Sequence, residues 1–146
     1  MADPVIEWYE APNATAPLAS WDYGTVDAGT TSPPKKFYLY NNKGGSGAAT
    51  ATDVRYTTFD DATRGETGDV VAQKWLQVRI VSDNGNPVAD PDNGFTSVGG
   101  GASKKDLSAF NLENNTYLEL ETRIAIPPNP AAGQRSFVQR VEFKFT

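Results

Sequence analysis

The chain has 146 residues, a formal net charge of −5 at pH 7, and 38% hydrophobic against 21% charged residues, which suits about one domain able to bury its own core. It contains no cysteine and no histidine, which removes disulfides, thiolate nucleophiles, a Ser-His-Asp triad, histidine-ligated zinc and a proton switch near neutrality. The acidic balance argues against a nucleic-acid binder, and no apolar run approaches the roughly 20 residues that span a bilayer.

Residues 5–9 read as a short strand between Pro4 and the Ala11-Pro12-Asn13 loop. Residues 18–23 predict a second strand, with Gly24 and Gly29 marking the turn that follows. Residues 36–41 predict a third, with Phe37 and Leu39 on one face and Tyr38 and Tyr40 on the other. The Gly, Ala and Ser of residues 42–50 predict a flexible surface loop. Residues 52–59 form the next strand, carrying Val54 and Tyr56 on one side. In residues 73–82, Leu76, Val78 and Ile80 alternate with Gln77 and Arg79, while Trp75 falls on the opposite parity, near an edge or under a loop.

Residues 83–103 turn to Asp, Asn, Gly and Pro, and a long irregular stretch of this kind is commonly functional or flexible. A short strand is expected at residues 95–98. Residues 116–126 place Leu118, Leu120, Ile124 and Ile126 on one face, leaving Glu119, Glu121 and Arg123 to look at water. Pro127 and Pro128 end that strand, and residues 136–145 predict the last one, with Val141, Phe143 and Phe145 alternating with Arg140, Glu142 and Lys144. No segment has convincing helical periodicity. The expectation is an all-β fold, a single antiparallel immunoglobulin-like β-sandwich of about seven to nine strands. Residues 1–15 are an N-terminal arm or first edge strand, and residues 16–146 are the sandwich domain.

Few residues suggest chemistry. Asp83-Asn84-Gly85-Asn86 and Asp90-Pro91-Asp92-Asn93-Gly94 cluster oxygen ligands of the kind calcium takes, yet they miss the EF-hand spacing and also suit two β-turns. Whether the loop that they form binds calcium or a partner stays open. Glu119 and Glu121, or Asp60, Asp61, Glu66 and Asp69, could be imagined as a glycosidase pair, but acids on one solvated face are more often solubilising. Lys35-Lys36 and Lys104-Lys105 read as solvated loop or edge charges. No catalytic residue, cofactor or metal site is assigned, and the protein is read as a non-enzyme. The aromatics Trp8, Tyr9, Trp21, Tyr23, Tyr38, Tyr40 and Trp75 can fill a core, anchor an interface or stack on sugars. Val5, Ile6, Trp8 and Tyr9 near the N-terminus, with Tyr38, Tyr40 and Trp75, are the candidate partner interface.

The run from Trp21 to Asn42 resembles the start of immunoglobulin-like domains of the ASH type, in which aromatic-x-aromatic-Gly-x-Val, a Gly, a Ser and a strand ending in Asn recur. Here those positions are Trp21, Tyr23, Gly24, Val26, Gly29, Ser32 and Asn41 or Asn42. Gly133-Gln134-Arg135-Ser136-Phe137 followed by Val141-Glu142-Phe143 is similar to the closing strands of such domains, whereas residues 83–103 depart from their compact pattern. The chain is also similar to small proteins encoded among the structural genes of tailed bacteriophages. The shared features are an opening near Glu7-Trp8, the run from Gly24 to Thr30, and the loop Asn41-Asn42-Lys43-Gly44-Gly45. That resemblance implies a virion component: a capsid decoration (cement) protein, or a tail or baseplate part. Capsid or tail proteins would be its partners, with a homo-oligomer, a trimer among the forms, also compatible. The opening residues carry no secretory-signal pattern, so synthesis in the host cytoplasm followed by incorporation into the virion is expected. The rival expectation is a carbohydrate-binding adhesion module recognising the host surface. Neither nucleic acid nor membrane is an expected partner.

Overall fold

Alternation at period two, broken by Gly, Pro and Asn, leads to strands that must bury one face against another layer. The computed structural model describes residues 2–146, and among these are nine strands and one helical turn, arranged as two antiparallel sheets in a β-sandwich. The larger sheet runs β1 (Ile6–Tyr9), β2 (Lys35–Asn41), β8 (Thr116–Ile124), β4 (Leu76–Asp83) and β5 (Asn86–Pro87), with β6 (Thr96–Val98) also paired to β4. The smaller sheet runs β7 (Lys105–Asp106), β3 (Thr52–Phe59) and β9 (Val138–Lys144). The helical turn α1 (Asp69–Ala72) lies just before β4 and buries Val70 and Val71, a short apolar pair whose helicity no periodicity announces.

The core forms where the inward faces meet. Leu39 of β2, Leu118 and Leu120 of β8, and Leu76, Val78 and Ile80 of β4 join Val54 and Tyr56 of β3 in one buried cluster. Each fully buried side chain of this size contributes about 1.5–3 kcal/mol. Tyr56 is fully buried and satisfies its hydroxyl by donating to the Gln139 side chain of β9.

Three residues of the Trp21–Asn42 run have specific structural duties. Gly29, at φ 73°, turns the chain so that its N–H reaches Pro127 O at 3.2 Å. Ser32 is buried and pairs reciprocally with Ile124: its N–H donates to Ile124 O at 2.8 Å, and its Oγ accepts from Ile124 N–H at 2.9 Å. Asn41, at 0% exposure, accepts from Val5 N–H at 3.0 Å and donates to Ala49 O and Leu112 O, each at 2.9 Å. It therefore fastens the N-terminal strand and two loops to β2.

The first strand pairs within the domain, from Ile6 opposite Asn41 to Tyr9 opposite Tyr38. Residues 18–23, expected as a strand, make no ladder. Leu18 N–H donates to Trp8 O at 2.7 Å, and then the chain leaves the sheet. The reason is what its aromatics do: Trp21 stacks on Phe37 with ring centres 4.0 Å apart, and Tyr23 reaches Thr122 with its hydroxyl. The segment covers the flank of the sandwich with side chains and leaves its backbone outside any ladder. Residues 42–50, expected to be a loose surface loop, are held as well. Ala48 and Ala49 are buried, and Ala49 N–H donates to Ala2 O at 2.7 Å.

The outer face of β8 departs from expectation too. Glu121 is only 7% exposed, although charged residues on an outer face were expected to meet water. Central position explains this. β8 lies between β2 and β4, so long neighbours close over it: Arg79 donates to Glu121 at 2.7 Å and Ser82 donates to Glu119 at 2.8 Å. The Phe95 ring covers the patch, with the guanidinium carbons of Arg123 and Arg79 at 3.8 and 5.2 Å from its centre. The register shift between Ile80 and Ser82 is a β-bulge, and it brings Ser82 opposite Glu119.

Candidate functional site

The sequence-predicted interface residues do not converge on one surface. Tyr9 and Tyr40 are each 6% exposed and Trp75 is 3% exposed, so these three are largely structural. Tyr9, Tyr40, Tyr117 and Tyr38 form a row of edge-on and tilted ring contacts on the outer face of the larger sheet, centres 5.0–5.5 Å apart. Lys43 sits 5.3 Å from both the Tyr9 and Tyr40 ring centres, and the Tyr40 hydroxyl donates to Pro12 O. The 10–17 loop thus lies against the row, and Tyr38 stays partly exposed. Burial, together with the charge of Glu119, raises the Tyr38 hydroxyl above its ordinary range. Ile6 is half-buried, whereas Val5 is 45% exposed.

The aromatic residues that do gather line an open cleft of about 1120 Å³ on the sandwich flank. One wall is residues 19–28, which carry Trp21 and Tyr23; the other is residues 130–139, which carry Arg135 and Phe137; Trp8 and Trp75 lie at its base. Trp8 meets Trp21 edge-on at 5.7 Å, Tyr23 stacks over Phe137 at 6.4 Å, and Trp21 Nε1 donates to the Tyr23 hydroxyl at 3.0 Å. Arg135 lies 5.5 Å from the Trp75 ring centre and holds Asp69 by three bonds of 2.8–3.1 Å. Those bonds keep the Asp69 carboxyl below the usual carboxylate range. Sequence reasoning missed this cleft because a Pro/Ala/Gly linker and a failed strand make its walls. Tyr23 and Phe137, 114 positions apart, carry no local signal of proximity.

A second constellation lies in the Asp/Asn-rich loop. Lys105, expected to be solvated, is 0% exposed. Its register opposite Tyr56 turns it into the core, where its ammonium donates to Asp90 Oδ1 at 2.7 Å, Asp92 Oδ2 at 2.8 Å and Thr96 Oγ1 at 2.9 Å. Such a charge is tolerable only when paired and hydrogen-bonded. Asp90 Oδ2 also accepts Ile80 N–H at 2.9 Å, filling the gap on the β4 edge between β5 and β6. Burial pushes the Asp90 carboxyl up, but the donors from Lys105, Ile80 and Asp92 outweigh it and hold the group below its ordinary value. The loop considered for calcium therefore directs two carboxylates at a lysine. The arrangement latches the smaller sheet to the larger one. Asn84 and Gly85, at φ 50° and 88°, form the tight hairpin turn between β4 and β5, as the turn reading of that segment anticipated.

Among the described residues, no group of three or more Asp or Glu side chains is placed to hold a metal ion, and no helix is long and apolar enough to cross a membrane. Neither the protein-family models nor the curated proteins contain a match to this chain.

Proposed function

We propose that this protein is a non-enzymatic structural component of a tailed-phage virion, an immunoglobulin-like module that decorates the capsid and stabilises the assembled shell. The observation that carries the reading is the flank cleft, lined by the half-buried Trp21 and Tyr23 rings beside the exposed Val138. Large amphipathic rings in a concave site are what interface anchors look like, because they bury much area with few rotamers. The sequence resemblance supplies the partner class, a coat or tail protein. The mechanism is mass action: a module that binds the assembled shell and not its free subunits stabilises the shell by its binding free energy. Co-sedimentation of purified protein with shells lacking it tests this reading, and Trp21→Ala should weaken retention without unfolding the domain. Retention unchanged by Trp21→Ala would remove the cleft from the account.

The alternative of host-surface carbohydrate recognition is favoured by the same rings lying near the polar Asp22 and Arg135. A pull-down on soluble polysaccharide with Trp21→Ala as control separates the two. Trp75, buried under Arg135, is unsuited to that role.

A further inference from the structure

We propose that β9 is the interface of a two-fold homodimer, in which the strand pairs antiparallel with β9 of a second copy about Val141. The smaller sheet ends at β9, whose ladder runs to β3 alone. On its other side, none of its backbone groups has a backbone partner among the described residues. An unpaired edge of this length is a template for another strand. The remaining edge strands are shorter: β5 and β7 have two residues each, β6 three and β1 four, against seven in β9.

The sequence of the strand selects the occupant. Antiparallel pairing centred on Val141 sets Arg140 opposite Glu142 of the second copy, Glu142 opposite its Arg140, and Val138 opposite the aliphatic stem of its Lys144. One position further out at each end, Phe137 faces Phe145. Opposite charges and apolar pairs directly across a ladder are the stabilising combinations, and a two-fold contact must be self-complementary in this way. Within one copy these groups are incompletely matched. Arg140 has no carboxylate partner among the described residues, only the Phe59 ring at 5.7 Å. Glu142 gives Oε2 to Lys104 at 2.6 Å and leaves Oε1 without a protein partner. Phe145 and Val138 are 45% and 38% exposed, respectively. This closure is two-fold, unlike the trimer admitted from sequence.

Sedimentation velocity of the purified full chain from low-micromolar to sub-millimolar concentration tests the proposal, with circular dichroism confirming that each variant is folded. A monomer–dimer equilibrium is expected. Arg140→Glu and Glu142→Arg, each setting like charges across the two symmetric contacts, should raise the dimer Kd by at least about tenfold. The double reversal R140E/E142R should restore it to near the parent value. A monomer throughout, a trimer, a dimer indifferent to the single reversals, or no recovery in the double variant would each overturn the proposal. The measurement needs no shell, so it succeeds or fails apart from the capsid reading.

Discussion

Replacing Lys105 by Met removes the cation that joins the two sheets while keeping a side chain of similar length. Asp92 is 51% exposed and can turn to water at little cost, whereas Asp90 is 6% exposed and stays buried, held by Ile80 N–H. Removing one partner of a buried pair costs about 3–5 kcal/mol, and the freedom of Asp92 places this case near the lower end, about 3 kcal/mol. For a domain of this length that corresponds to a fall in Tm of roughly 6–12 °C. Urea titration of parent and variant at neutral pH measures it, with an unchanged m-value as evidence that both unfold from comparable folded states. Adding Asp90→Asn to Lys105→Met should recover part of the loss, since no charge remains buried and the amide oxygen still accepts Ile80 N–H, while the amide NH2 forfeits the bond from Asp92 N–H. A loss below about 1 kcal/mol, the range of exposed pairs, would refute the claim that this lysine works as a buried latch.

Further outcomes follow from individual side chains. Asn41→Ala leaves Val5 N–H, Ala49 O and Leu112 O without their partner and should cost at least about 2 kcal/mol in equilibrium unfolding. In the folded chain the Asp90 carboxyl titrates below its ordinary 3.8, so the stability it supplies is present above that value and lost as pH falls through the lower, folded one. An acid titration of Tm should show this component, and the Lys105→Met variant should lose it. Asp83 behaves oppositely: burial and then the charge of Glu113 raise its carboxyl above 3.8, so its ionised form costs stability at neutral pH. Asp83→Asn should therefore raise Tm at pH 7, the gain shrinking as pH falls through the raised folded value and vanishing below the ordinary 3.8.

The strands that carry strict alternation are legible in the sequence itself. The sequence predicts a strand over residues 52–59 with the ends that β3 has, since Val54 and Tyr56 fall on one face with no competing pattern. β6 is legible inside an irregular stretch because Thr96 and Val98 stand close together at strand spacing among glycines. Residues 18–23 look much the same on paper, and the difference is tertiary: Trp21 packs on Phe37 and Tyr23 reaches Thr122, which draws the backbone out of any ladder. Local pattern cannot report a contact between Tyr23 and Thr122, 99 positions apart. The charged residues illustrate the same limit. Glu121 and Lys105 read as solvent-facing because polar residues normally are, yet each is buried by partners distant in sequence, Arg79 and Asp90. The aromatic residues can be read as core, interface anchors or a sugar platform, because composition does not say which rings are covered. Their division, with Trp75 in the core, Tyr9 and Tyr40 covered on the outer face and Trp21 and Tyr23 lining a cleft, depends on tertiary packing.

The central claim, that this sandwich stabilises a phage shell by surface contact, is tested most directly by melting that shell. Particles lacking the protein, measured by scanning calorimetry before and after saturation with it, should show shell disruption at a higher temperature once it is bound, with Trp21→Ala giving a smaller shift. An unchanged disruption temperature at saturating protein would contradict the account.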